Sequence, residues 1–165
     1  MKRFASIDLG SNTIRLLIAE KTAEAPLCPI HEERRIIRLG EGLHEEKRLL
    51  KHRMTLAIKT LNEFRDICRG FGDVFIHAAA TSAVREAGNR DAFVERVKSE
   101  TGLTLHVIPW QEEAALTLEG VLWRLSLADR RFLTFDIGGG STEFILSKGR
   151  DVIATAGTKL GVVRL

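Results

Sequence analysis

Apolar residues in this chain form short runs that are separated by small and polar residues, a pattern typical of a sheet with interspersed helices. Residues 4–9 and 14–20 are two such runs, and the three polar residues between them predict a hairpin of buried strands. Residues 28–39 are more polar and predict a third strand, at or near an edge of the sheet. Glycines at positions 40 and 42 are predicted to end that strand.

Helical periodicity is clearest in residues 45–69, where apolar side chains recur every three or four positions until Gly70. Thr81-Ser82 and Asn89 are predicted to cap the next two helices through their side chains. The rest of the pattern predicts, in chain order, strand 74–80, helices 81–87 and 89–102, strand 103–108, helix 110–128, and strands 132–135, 142–146 and 152–156. This alternation predicts an α/β fold with helices packed on the sheet.

Composition agrees with a globular protein and excludes several other classes. The 165 residues are 44% hydrophobic and 28% charged, and this length allows one domain and the start of another. No apolar run approaches the roughly 20 residues that cross a bilayer, so no membrane association is expected. Asp8 interrupts the apolar segment that a signal peptide needs, and Cys28 and Cys68 fit neither a zinc nor a redox motif. We therefore expect reduced thiols and a cytoplasmic location.

The charge pattern speaks against nucleic acid as a partner. The formal net charge is +3, from 25 basic and 22 acidic residues. These residues are interleaved, and no purely basic run exceeds two residues. A nucleic-acid surface would require a concentrated basic patch instead.

The clearest chemical signal is an internal repeat with an offset of 128 residues. Residues 4–13 and 132–141 each contain a short apolar strand, an aspartate, an aliphatic residue, a glycine, two turn-forming residues and a hydroxyl residue. The shared aspartates are Asp8 and Asp136, and a second apolar strand follows each copy. A shared turn alone gives no reason for a shared aspartate and a shared hydroxyl position.

This residue set suits phosphate chemistry. A glycine-rich turn lets backbone N–H groups approach phosphate oxygens without a Cβ in the way. The hydroxyls of Ser11, Thr13, Ser141 and Thr142 can add further donors. An aspartate at the end of a buried strand can hold Mg²⁺ near the phosphates. Each loop alone could be an ordinary hairpin turn, whereas two facing loops predict a clamp on a phosphate chain.

Four motifs resemble, in order and spacing, those of the exopolyphosphatase and guanosine pentaphosphate phosphohydrolase (Ppx/GppA) family. They are DLGSNT at 8–13, ATSAVREA at 80–87, EEA at 112–114 and DIGGGSTE at 136–143. The last is the most specific, RLGEGL at 38–43 also fits, and the resemblance covers essentially the whole chain.

The resemblance implies a fold of the actin, sugar kinase and Hsp70 superfamily, which is ribonuclease H-like. It implies a mixed sheet with helices on both faces, and an active site between two similar α/β domains. We expect a first domain at 1–128 and the beginning of a second, truncated domain at 129–165.

The resemblance also implies a role for each matching residue. Glu113 matches the catalytic base, and Glu143 matches a second essential acid that binds the metal or orients the water. Asp8 and Asp136 match metal-associated aspartates for Mg²⁺ or another divalent cation, and Arg85 matches a phosphate-contacting arginine. The residues that match the two phosphate loops are Gly10, Ser11, Asn12, Thr13, Gly138, Gly139, Gly140, Ser141 and Thr142.

The residues themselves support these roles unequally. Glu113 alone would be interpreted as an acid in the first turn of a helix, where it favours the helix dipole. Glu143 has a stronger case, because an alternating strand places it on the same face as Ile145, directly beside the second turn. One departure from the family pattern is Ala115, where a polar residue is common after Glu-Glu-Ala.

Three functions remain open from the sequence. The first is a hydrolase that releases the terminal phosphate of inorganic polyphosphate or guanosine pentaphosphate, and the sequence does not rank these two substrates. The second is a small-molecule kinase of the same superfamily. The third is a non-catalytic fragment that binds polyphosphate or the guanosine alarmone. Because a truncated second domain exposes apolar strands, we also expect a homodimer, formed by pairing of these strands or by exchange of the last hairpins.

Overall fold

The computed structural model describes residues 1–23, 27–123, 125 and 130–162. The described elements are, in chain order, β1 (Lys2–Leu9), β2 (Thr13–Lys21), β3 (Cys28–Ile36), α1 (Leu43–Glu46), α2 (Lys51–Gly70), β4 (Val74–Ala80), α3 (Ser82–Glu86), α4 (Arg90–Thr101), β5 (Leu105–Val107), α5 (Trp110–Leu122), β6 (Arg131–Ile137), β7 (Thr142–Lys148) and β8 (Asp151–Thr158). The strands form two sheets, with the orders β3-β2-β1-β4-β5 and β6-β7-β8.

The five-stranded sheet is mixed, as predicted. β1 pairs antiparallel with β2 and parallel with β4, so the first hairpin lies in the middle of the sheet. β3 lies at the edge, which confirms its predicted position. Alternate residues of β1, namely Ala5, Ile7 and Leu9, are buried against the helices, because successive side chains of a strand point to opposite faces.

The predicted helices on both faces of the sheet are seen on one face in the described part of the chain. α2 and α4 pack on that face, whereas Phe4 and Phe75 stack on the other face and Phe75 remains 60% exposed. α5 packs on the three-stranded sheet, where its buried residues contact Ile145.

The predicted domain boundary at 128/129 falls between the two sheets and stays a prediction. α5, which the sequence assigned to the first domain, contacts β7 and β8. It ends at Leu122, and residues 124 and 126–128 of the predicted helix lie outside the described part of the chain. Within the described ranges, no helix combines the length and apolar character needed to cross a membrane.

The prediction of one continuous helix over 45–69 is wrong, because the helix is interrupted between α1 and α2. Lys47 adopts a left-handed φ of 54°, and its carbonyl accepts a hydrogen bond from Gly88 N. The side chain of Asn89 binds both backbone groups of Leu49, at 2.8 and 3.0 Å. Asn89 therefore does not cap α4 with its side chain as predicted, and neither does Thr81 cap α3.

The strand predicted over 28–39 ends earlier, at Ile36. Arg38 has a left-handed φ of 49°, which turns the chain away from β2. Ile37 and Leu39 are buried in the core all the same. Their apolar character explains why the sequence pattern extended the strand beyond its end.

Candidate functional site

A cavity of about 240 Å³ lies where the two repeated loops meet. Its walls come from the β1–β2 turn, the β6–β7 turn and the first turn of α5. Eleven of the predicted site residues line it: Asp8, Gly10, Ser11, Asn12, Thr13, Glu113, Asp136, Gly138, Gly139, Ser141 and Glu143. The fold therefore brings together two segments that lie 128 residues apart, together with both predicted acids.

The two turns are built alike. Gly10 N donates to the carbonyl of Thr13 at 3.0 Å, and Gly138 N donates to the carbonyl of Ser141 at 2.9 Å. The strand registers match as well, because Asp8 pairs with Arg15 just as Asp136 pairs with Glu143. The repeat in the sequence is thus a repeat in backbone structure.

The tips of the loops are in direct contact, and only glycine fits there. A Cβ at Gly139 would lie 2.9 Å from the Cβ of Asn12 and 3.0 Å from its backbone nitrogen. A Cβ at Gly140 would lie 2.8 Å from Ser11 Oγ and 2.9 Å from Ser82 Oγ. The glycines of the second motif therefore allow the two loops to approach each other, in addition to leaving room for a phosphate.

Backbone and hydroxyl contacts hold the first loop in place. The carbonyl of Asn12 accepts hydrogen bonds from the backbone N–H groups of Ile37 and Arg38, both at 2.9 Å. Ser11 Oγ lies 2.8 Å from Ser82 Oγ in a buried hydroxyl pair. The segment after β3 thus supports the loop instead of extending the sheet.

Three predicted site residues are not among those that line the cavity. Gly140 packs against the Ser11 and Ser82 hydroxyls. Thr142 Oγ1 donates to the carbonyl of Leu160 at 2.7 Å. Arg85 Nη1 donates to Glu113 Oε2 at 2.8 Å.

Glu143 is a buried acid, with only 5% of its surface exposed. This burial raises the pKa of its carboxyl group, while a hydrogen bond from Ser141 acts in the opposite direction. The charges of Glu113 and Asp136 raise the pKa further, and Arg85 partly compensates. The predicted alternation in β7 is confirmed, because Glu143 and Ile145 are both buried on the same face.

Asp8 keeps contact with solvent but lies within the crowded cleft. Desolvation there raises the pKa of its carboxyl group above the usual value. The nearby charge of Arg15 opposes this shift, whereas Glu113 and Asp136 add to it. Four carboxylates therefore act on one another electrostatically around one cavity.

These carboxylates suit a cation that binds together with phosphate. No three His, Cys, Asp or Glu side chains of the described residues stand close enough to hold a metal ion by themselves. Mg²⁺ does not need such a cage, because it is usually held by one or two carboxylates, waters and substrate phosphates. Oxygen donors from Asp8, Asp136 and Glu143 in the cavity wall fit this mode of binding.

Several residues at the site were not predicted from the sequence to belong to it. Arg15, Arg34, Thr81 and Ser82 also line the cavity. The repeat could have indicated Arg15, because it lies 128 residues before Glu143 and pairs with Asp8. Thr117 donates to Asp136 Oδ2 at 3.3 Å, one helical turn after Glu113.

Comparison with known proteins gives the site a family context. The model of the Ppx/GppA phosphatase family matches residues 17–165. Exopolyphosphatase 2 of Mycobacterium tuberculosis is 34% identical over 173 residues, which cover 100% of this chain and 54% of that protein. A guanosine-5'-triphosphate,3'-diphosphate pyrophosphatase of Photobacterium profundum is 32% identical over 160 residues, covering 97% of this chain and 32% of that protein. This chain thus spans about half, or less, of the length of these curated relatives.

Solved structures agree with this result. The crystal structure of the Aquifex aeolicus Ppx/GppA family member superposes with a TM-score of 0.85 at 36% identity, over 99% of this chain and 53% of that one. MreB5 of Spiroplasma citri superposes with a TM-score of 0.52 at 15% identity, over 98% of this chain and 53% of that one. The second likeness concerns the fold alone and confirms the predicted actin-like class. With its family model matched over residues 17–165, the chain belongs to the Ppx/GppA phosphatase family.

Proposed function

We propose that the chain carries the catalytic residues of a phosphoanhydride hydrolase that releases the terminal phosphate of inorganic polyphosphate or guanosine pentaphosphate. One observation carries this proposal: two equivalent turns and the acids Glu113 and Glu143 line a single cavity. Relatives of this chain are named for both substrates. Family membership favours hydrolysis over the kinase alternative.

In this proposal the loops bind and the acids activate water. Backbone N–H groups and hydroxyls of the two turns hold the phosphate oxygens and neutralise part of their charge. Glu113 accepts a proton from water while the water oxygen bonds to the terminal phosphorus and the anhydride P–O bond breaks. Glu143 orients that water. Asp8, Asp136 and Glu143 would hold Mg²⁺ or another divalent cation, which supplies charge neutralisation when it is bound.

The test is phosphate release, measured with Mg²⁺ from long-chain polyphosphate and, separately, from guanosine pentaphosphate. We expect Glu113→Gln to lower turnover by about 100-fold or more, since a general base contributes roughly that factor. Glu112→Gln is the matched control, because Glu112 lies in the same helical turn and is exposed. Turnover that Glu113→Gln leaves unchanged would remove Glu113 as the base.

A non-catalytic binder is the second candidate, and the second sheet favours it. Seven of the eight residues of β8 are exposed, and so are Leu133, Phe135 and Ile137 of β6. The sheet that carries the second loop is therefore largely uncovered in the described part of the chain. Binding of polyphosphate or guanosine pentaphosphate without phosphate release would favour this candidate.

The partner and location assignments remain proposals as well. The exposed apolar residues of both sheets support a homodimer, including one formed by exchange of the last hairpins. The interleaved charges support a phosphate substrate over nucleic acid as the partner. The proposed location is the cytoplasm, on the basis of the unpaired cysteines.

A further inference from the structure

Arg85 makes its side-chain contacts with Glu113 and with the backbone. Its Nη1 donates to Glu113 Oε2 at 2.8 Å and to the carbonyl of Ile108 at 3.0 Å. Glu113 lines the cavity, whereas Arg85 is not among its lining residues. The guanidinium thus contacts the proposed base directly.

The backbone around Arg85 fixes this contact. Arg85 N donates to the carbonyl of Thr81 within α3, and Ile108 N donates to the carbonyl of Ala80 at the end of β4. Arg85 and its backbone partner Ile108 are thus both anchored at the end of β4. Most of the ion pair is shielded from water, because the side chains of Arg85 and Glu113 are only 21% and 17% exposed. Charge-assisted hydrogen bonds in such surroundings are short and directional.

The pair also joins the two halves of the site. α3 directly follows β4 of the five-stranded sheet. α5, which carries Glu113, packs its apolar face on β7 and β8. Arg85 thereby sets the position of the Glu113 carboxylate relative to the first phosphate loop. Displacing a reacting group by about 1 Å costs roughly 100-fold in rate, so such a contact has a measurable effect.

We infer that Arg85 is a positioning residue that orients the Glu113 carboxylate toward the cavity, and that it is not a direct ligand of the bound phosphate. This inference rests on the proposed function, because it takes Glu113 as the base. It replaces the phosphate-contacting role that the family resemblance implied for Arg85. Arg85 holds the Glu113 carboxylate oriented before substrate arrives.

The first test separates binding from turnover in Arg85→Gln. Tripolyphosphate affinity is measured by calorimetry in EDTA, and kcat and KM are measured with polyphosphate and Mg²⁺. We expect Kd to change by less than about threefold while kcat falls about 100-fold, and Arg85→Lys to restore part of kcat. Losing a charged phosphate contact would instead weaken binding by about tenfold or more, which would overturn the inference. Arg90→Gln, which removes an exposed arginine, is the matched control.

A second test needs neither substrate nor turnover. Carboxyl groups are modified with a carbodiimide and an amine, and the extent at each residue is read by mass spectrometry. We expect Glu113 to be modified several-fold faster in Arg85→Gln than in the unsubstituted chain, with exposed Glu112 unchanged as the internal control. An unchanged rate at Glu113 would overturn the inference. Absence of phosphate release by the unsubstituted chain would count against the proposed function alone.

Discussion

Replacing Gly139 by alanine tests whether contact between the two loops sets the geometry of the site. The new Cβ would lie 2.9 Å from Asn12 Cβ and 3.2 Å from Ser11 Cβ. Carbon atoms prefer a separation of at least about 3.5 Å, so the loops must part by roughly 0.6 Å. Asn12 cannot move away without loss of hydrogen bonds, because its carbonyl accepts from the N–H groups of Ile37 and Arg38.

The cost follows from this crowding. Overpacking of this kind destabilises a protein by about 1–3 kcal/mol. In a chain of this size each kcal/mol lowers Tm by about 2–4 °C, so we expect a decrease of roughly 2–12 °C. Relaxation by opening the loops would reduce the stability cost but move the second turn away from the first. Tripolyphosphate binding should then weaken, because the donors no longer converge.

The assay combines thermal unfolding with calorimetric binding of tripolyphosphate. Gly157→Ala is the matched control, because nothing lies within 4 Å of a Cβ at that position in β8. We expect Gly157→Ala to change neither Tm nor affinity appreciably. If Gly139→Ala behaves like this control in both measurements, the loops do not depend on their close approach and the reasoning is refuted.

Two further predictions follow from buried ionisable groups. Glu143→Gln should abolish turnover yet raise stability by about 0.5–2 kcal/mol. The pKa of Glu143 is raised in the folded state, so its carboxylate destabilises the fold as the pH rises above 4.5. The stability gained with glutamine, measured by thermal unfolding, should therefore grow toward neutral pH. A variant less stable than the unsubstituted chain at neutral pH would contradict this. Burial also raises the pKa of the Cys68 thiol, so a thiol reagent should label exposed Cys28 in the native chain and Cys68 only after unfolding; rapid labelling of both would contradict it.

Local patterns predicted the elements well where contacts are local. The first hairpin, the edge position of β3 and the alternation in β7 all depend on the period of apolar residues, which the sequence displays directly. The break between α1 and α2 could not be found in this way. It depends on Gly88 and Asn89, which bind the backbone of Lys47 and Leu49 from 40 or more positions along the chain.

The repeat is the feature from which the two loops of the candidate site could be predicted. The repeat located Asp8, Asp136 and the two turns, since a duplicated loop keeps its residue types. The family pattern records the residue type of Arg85 and not its partner. The contact of its guanidinium with Glu113 is therefore visible only in the structure.

The two copies of the repeated turn differ in charge at one equivalent position. Arg15 and Glu143 occupy equivalent positions, each opposite the aspartate of its own hairpin. The first loop therefore pairs a carboxylate with a cationic side chain, whereas the second places two carboxylates together. A phosphate chain brings further negative charge to both loops, and only the second loop has no arginine in the equivalent strand position. In the proposed function, we therefore expect a divalent cation to bind beside Asp136 and Glu143.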